Sequence, residues 1–206
     1  MRVLIGCATS DVGRSAFEKH GHDAWSCDVL QSRSTTKKHL VMDVRRALIL
    51  KSWDLFIVHP DCTYLCGSGM HWTTRGMRDP KLTDDALKFF IEMFEADVPR
   101  VCAENPHGHV STHYRKYDQV IQPHQFGEDA SKATCLWLRN LPSLKPTKII
   151  APRIVYKDGK AYKRWANQTD SGQNRLPPTA DRWQKRADTY PGIADAMAQQ
   201  WGGENA

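Results

Sequence analysis

Trp53-Asp54-Leu55-Phe56-Ile57-Val58-His59-Pro60-Asp61-Cys62 is the stretch whose reading decides the fold. An unbroken aromatic and β-branched run that stops at a His-Pro pair has the pattern of a strand buried on both faces. Such a strand needs a covering layer above and below its sheet. Upstream, Arg2 to Cys7 is a second short apolar run, and Asp11 to His20 carries Val12, Ala16 and Phe17 at helical spacing before Gly21. Ala24 to Cys27 leads into Asp28, and His39 to Met42 leads into Asp43, so two further strands each end in an acid. A helical stretch through Ala47 to Leu50 follows the second of them.

Downstream, residues 59–80 hold Gly67, Gly69, Gly76 and Pro80 among polar residues, which predicts a long functional loop. A helix is expected over Thr83 to Glu95, then a strand over Arg100 to Ala103 that stops at Glu104-Asn105-Pro106. Val120-Ile121 and Cys135 to Leu138 read as strands with turns between them. Asp158-Gly159 marks a hairpin, and Ile193, Met197 and Trp201 share one face of a last helix. Alternating helices and strands predict an α/β fold, a mostly parallel sheet with helices on both faces, whose ligands meet the carboxyl ends of the strands.

The chain has 206 residues, 40% of them hydrophobic and 25% charged, which suits one α/β domain with a small appendage. No apolar run reaches the roughly 20 residues that a membrane span needs. The six cysteines are scattered and read as free thiols of a reducing compartment, so a cytoplasmic setting is expected. A formal net charge of +6 is compatible with a polyanionic partner. His59, Cys62, Cys66 and His71 are metal-ligand types, yet without a Cys-x-x-Cys pair no metal is expected.

Cys62 stands where the strongest strand empties into the loop, and Glu104 ends another strand in the same sense. A thiol opposite a carboxyl is the pairing needed to add a nucleophile to an electron-poor ring: sulfur attacks C6 of a pyrimidine while the acid holds N3. The two groups are expected to converge on one pocket.

Val3 to Asp28, Trp53 to Cys62, Glu104-Asn105-Pro106, Gln122 to Thr147 and the tail Thr189-Tyr190-Pro191-Gly192-Ile193-Ala194 resemble, in order, the cytosine-C5 DNA methyltransferase family, above all its short phage-type members. The resemblance implies a Rossmann-like fold with S-adenosylmethionine as cofactor and DNA, or a free cytosine nucleotide, as partner. It implies that Cys62 is the covalent nucleophile and Glu104 the acid, with Asn105 beside it. The first loop, with Cys7, Ala8, Thr9, Ser10 and Gly13, would embrace the methionine part of the cofactor. Asp28 would take the ribose hydroxyls, Asp43 would lie by the adenine, and Pro60 would border the same site. Lys132 and Thr134 would replace the family's arginine pair at the target base, and Arg75 and Arg78 would hold the DNA backbone.

Two departures carry chemical weight. Asp61, not proline, precedes Cys62, and a neighbouring carboxylate raises a thiol pKa. The first loop has fewer glycines than the family pattern and an extra acid, Asp11. They suggest a member that binds DNA or a nucleotide without transferring methyl as an alternative. The expected layout is a catalytic domain over 1–150, a basic insertion over 151–188 that contacts nucleic acid, and a terminal helix over 189–206.

Overall fold

The computed structural model describes residues 1–203. The chain begins β1 (Arg2–Gly6), α1 (Val12–Lys19), β2 (Asp23–Asp28), β3 (His39–Val41), α2 (Val44–Leu50) and β4 (Leu55–Val58). It continues with α3 (Gly67–Thr74), α4 (Pro80–Phe94), β5 (Arg100–Asn105), α5 (His109–His113), β6 (Gln119–Ile121) and β7 (Thr134–Arg139). Then come β8 (Arg153–Lys157), β9 (Lys160–Arg164), α6 (Arg182–Ala187) and α7 (Pro191–Trp201). The expected terminal segment 189–206 thus holds α7, while 204–206 lie outside the described residues.

Seven strands form one sheet in the order β3-β2-β1-β4-β5-β7-β6. β1 pairs in parallel with β2 and β4, β2 with β3, and β4 with β5, while β7 runs antiparallel to both β5 and β6. This is a Rossmann-like α/β fold, a mostly parallel sheet. The chain builds outward from β1 to β3 and then returns to start β4 on the other side of β1, so a crevice opens at the carboxyl edge where the order reverses.

Burial on both faces explains the apolar texture of the strands. Val3, Ile5, Leu55 and Ile57 pack with Phe17 of α1 and with Ile193, Met197 and Trp201 of α7. Leu4, Phe56 and Val58 face the other way, onto Val44 of α2 and Phe90 and Phe94 of α4. Alternate side chains of one strand therefore belong to two different cores, and a run with no polar face results.

The stretch 59–80 is not one long loop. Cys66 caps α3, and Asp79, with Pro80 in the first turn, caps α4, which begins three residues earlier than its apolar spacing suggested. α3 escapes a pattern search because Gly69 is its buried residue and no apolar stripe marks it. A Cβ at Gly69 would lie 1.9 Å from the Thr63 carbonyl oxygen, so the glycine is there for close approach. The short α5 and α6 also fall in stretches where the sequence offers no helical stripe.

β8 and β9 form a separate two-stranded sheet, turned by Asp158 and Gly159, both at positive φ. The chain that follows is tied to the main sheet's edge region. Asn167 and Ser131 exchange two hydrogen bonds of 2.9 Å, and the Trp165 ring stacks on His124 at 4.1 Å.

α7 is anchored by Trp201, which is fully buried and donates its indole N–H to the Pro142 carbonyl at 2.9 Å. Trp201→Ala removes that packing and leaves a cavity, and a loss of about 3–5 kcal/mol in urea unfolding is expected. A loss below about 1 kcal/mol would show that α7 contributes little to the core.

Candidate active site

The carboxyl ends of β4 and β5 lie side by side, with Val58 in register with Ala103. Beyond them the two chains stay joined. The side-chain amide of Asn105 donates to the Pro60 carbonyl at 2.8 Å in a buried bond. Gly67 N–H donates to the His107 carbonyl and His109 N–H to that of Leu65, so 65–67 and 107–109 run together. Gly108 makes this possible, since a Cβ there would lie 2.0 Å from the Leu65 oxygen.

Glu104 faces His59, whose Nδ1 lies 2.8 Å from the carboxylate Oε2, and each side chain is 15% exposed. Burial pushes the Glu104 carboxyl up, but the hydrogen bond to His59 and the charges of Lys132 and His59 outweigh it and hold the group below its ordinary range. Glu104, His59, Lys132 and Thr134 wall one narrow depression with Ile121, Tyr190, Ile193 and Met197. Lys132 reaches across it to the Asp188 carbonyl at 3.2 Å. Cys62 is not among its lining residues.

Cys62 follows a tight loop in which Asp61 folds back, its Oδ1 accepting from the Thr63 N–H at 2.9 Å and the Thr63 hydroxyl at 2.6 Å. The Cys62 thiol is held well above its ordinary pKa. The causes are a hydrogen bond with Cys66, burial, the charge of Cys66, then Asp61 and Glu104. The carboxylate effect expected from Asp61 is present, and Cys66 and burial act more strongly.

The first loop and its neighbours gather at the adjoining strand ends. Ala8 N–H donates to the Cys27 carbonyl at 3.1 Å, and Arg33 N–H to that of Thr9 at 3.0 Å, which lays the 29–38 segment beside the loop. The Arg33 guanidinium pairs with Asp188, tying that segment to the chain before α7. Asp28 ends β2, with one oxygen accepting from Leu30 N–H. Asp43 caps α2, accepting from Arg45 N–H at 2.8 Å, and is 45% exposed. Cys7, at φ 55°, has its thiol pushed up to about 12 by burial and by Asp28, Cys27 and Asp43.

At the start of α1, Asp11 makes no capping bond, its carboxylate being engaged by Arg14. The Val12 N–H meets Ser10 Oγ only at 3.4 Å, so the first turn around Gly13 offers N–H groups to a ligand. A broad groove adjoins this turn, lined by Val12, Asn167, Arg175, Lys185, Asp188 and Tyr190 among others. Helix N–H groups with the Arg175 and Lys185 cations near them suit an anionic group of a ligand.

Arg75 stands at the C-cap of α3, on its exposed side, and Arg78 donates to the Thr63 carbonyl at 3.2 Å and lies over the Tyr64 ring. Arg78 therefore braces the Cys62 loop. Sequence reasoning missed His59 as a partner of Glu104, Cys66 as a partner of Cys62, and the wall supplied by Asp188, Tyr190 and Met197. The His-Pro pair at the end of the strongest strand was the available signal for the first. Among the described residues no group of three or more His, Cys, Asp or Glu is placed to hold a metal ion. No helix among them is long and apolar enough to cross a membrane.

No family model matches the chain, and no curated protein matches it in sequence. Among solved structures it is similar to an E. coli crystal structure described as a "putative DNA modification methyltransferase encoded within prophage", at 14% identity and a TM-score of 0.41. The match covers 67% of this chain and 46% of that one, so this chain spans less than half of that protein's length.

Since the folded-state pKa of Glu104 lies below its ordinary 4.5, the ionised group favours the fold above that pH, and the contribution is lost as pH falls through the folded value. Glu104→Gln is expected to flatten the decline in urea midpoint between about pH 5 and 3, the two proteins converging at the acid end. Parallel declines would show that the carboxylate has no favourable partner.

Proposed function

We propose that this chain is an S-adenosylmethionine-dependent methyltransferase acting on C5 of cytosine in DNA. The observation that supports it best is the Asn105–Pro60 bond, which fastens the Cys62 loop to the strand end that carries Glu104, beside the crevice at the switch in strand order. A nucleophile and a carboxylate at adjacent strand ends are what ring activation needs.

Cys62 sulfur adds to C6 of the cytosine ring, and the electron pair of the C5=C6 bond moves into the ring. Glu104 would lie against the N3 and 4-amino edge, where its carboxylate accepts a hydrogen bond from the amino group and holds the ring for attack. His59, bonded to one carboxylate oxygen, fixes the other toward the ring, and Lys132 supplies positive charge on the same wall. When bound, S-adenosylmethionine supplies an electrophilic methyl group for C5. The first turn of α1 would hold its carboxylate, Asp28 its ribose hydroxyls, and Cys7 to Ser10 with Pro60 and Asp43 would border it. Thr134, on the same wall, positions the target base, and Asn105 acts on the site through its bond to Pro60, while Arg75 reaches the DNA backbone.

DNA is held by the β8–β9 ribbon in this reading. Arg153 stands opposite Arg164, and Lys157 opposite Lys160, with Tyr162 between the two pairs on the same face. Asp170 already lies against Arg153 at 2.6 Å, so the like-charge pair that a DNA phosphate would relieve is Lys157 opposite Lys160. A two-stranded ribbon also fits the major groove of duplex DNA.

Duplex DNA carrying 5-fluorocytosine is expected to form a stable adduct on Cys62 when the cofactor is present, because fluorine does not leave C5 as a proton. Mass mapping should show it lost in Cys62→Ala and reduced at least about tenfold in Glu104→Gln. Wild-type protein that binds duplex and cofactor without forming the adduct would leave only a binding role. Lys157→Gln with Lys160→Gln should weaken duplex binding across sequences and lower the log–log salt slope by about 2. An unchanged slope removes the ribbon from the DNA-binding face.

A further inference from the structure

Asp188, Thr189 and Tyr190 line both the narrow depression that holds Glu104 and the broad groove beside the first turn of α1. The three residues therefore stand as a wall between two spaces. The groove has a volume of about 420 Å³, whereas the depression has about 10 Å³, room for roughly one water molecule. No pyrimidine ring fits into the smaller space, and the wall keeps a ligand in the groove away from Glu104.

The wall is held unevenly. On one side the Tyr190 carbonyl accepts from the Ile193 and Ala194 N–H groups at 3.1 Å each, and Gly192 N–H donates to Glu128 at 3.2 Å, so Tyr190 belongs to the firm start of α7. On the other side stands α6, none of whose residues is buried. Between them Asp188 is gripped by two cations. Arg33 donates to its carboxylate through two bonds, the longer of 3.2 Å, and Lys132 Nζ donates to its carbonyl at 3.2 Å. We propose that Asp188 and Thr189 form a gate between groove and depression, hinged at Tyr190 and latched by Arg33 and Lys132, and that release of the Arg33–Asp188 pair opens the Glu104 depression to a ligand of ring size. The inference rests on the cytosine-transfer reading only for the identity of that ring.

The latch is built to give way. The Arg33 and Asp188 side chains are each 35% exposed, and an ion pair so open to water contributes little to stability. No apolar packing beneath α6 adds to it. The two cations come from different sides of the site: the Arg33 N–H donates to the Thr9 carbonyl on the first loop, whereas Lys132 lines the depression with Glu104. Withdrawal of Asp188 thus takes from Lys132 the carbonyl it holds and leaves its ammonium beside the carboxylate whose ionised form it favours. A ring that fills the enlarged depression binds the open form alone, so its affinity carries the cost of opening. A weak latch keeps that cost low.

Carbodiimide coupling of glycine ethyl ester to carboxylates, followed by peptide mapping, reads how often Glu104 is accessible, with the exposed Asp158 as internal reference. Relative to Asp158, Glu104 should label about two- to fivefold faster in Arg33→Gln and in Asp188→Ala than in wild type, the change expected from losing one exposed pair. Exchanging the charges, Arg33→Asp with Asp188→Arg, should return the rate toward that of wild type. Amide hydrogen exchange separates gate opening from general loosening: residues 186–189 should exchange faster in Arg33→Gln while those of α7 keep their wild-type rates. Equal Glu104 labelling in wild type and the single variants overturns the proposal, as does a charge exchange that labels as fast as they do, or faster exchange throughout α7. These measurements need neither cofactor nor DNA. If no protein forms the 5-fluorocytosine adduct while the labelling contrast stands, the gate is upheld and the cytosine reading fails.

Discussion

One buried hydrogen bond, from the Asn105 side-chain amide to the Pro60 carbonyl, sets the geometry on which the site depends. The parallel register of β4 and β5 ends at Val58 and Ala103, and beyond it nothing in a β-ladder would keep the two chains together. A buried carbonyl at Pro60 needs a donor, and Asn105 is placed to give one. The same bond fixes the direction in which Glu104 leaves its strand. Backbone bonds between 65–67 and 107–109 then extend the junction past the sheet.

Around that junction the charges are sorted. The Glu104 carboxylate is opposed by His59 and Lys132, and the Cys62 thiol is surrounded by the negative groups Asp61 and Glu104. His59 and Lys132 thus favour the ionised acid, and Glu104 in turn helps to hold the sulfur protonated.

Much of the architecture was legible in the sequence because burial on both faces leaves a period-free apolar run that polar insertions cannot mimic. Leu55 to Val58 is the clearest case, and all four are buried. Acids at strand ends, Asp28 and Glu104, were equally visible. The direction of β7 was not, because Thr134 to Arg139 carries no mark of which way it runs; its pairing with Val101 to Asn105 decides that. α3 was hidden because its contact with the rest of the chain runs through a glycine. Cys66 was visible as a thiol but not as a cap, since capping depends on a helix start that only the close approach at Gly69 creates. The wall made by Tyr190 and Met197 comes from the far end of the chain, and pairing across that distance leaves no local pattern.

Gly69 and Gly108 have a wider consequence. Both press a bare Cα hydrogen against a carbonyl of the 63–66 segment, so the path of the Cys62 loop is moulded by its neighbours. Leu65 and Cys66 hold the loop to the core and to α3, while Thr63 is exposed and Cys62 and Tyr64 are partly so. Shape and reactivity are thereby written at different positions, and a scaffold organised like this can exchange its reactive groups without having to be refolded around them.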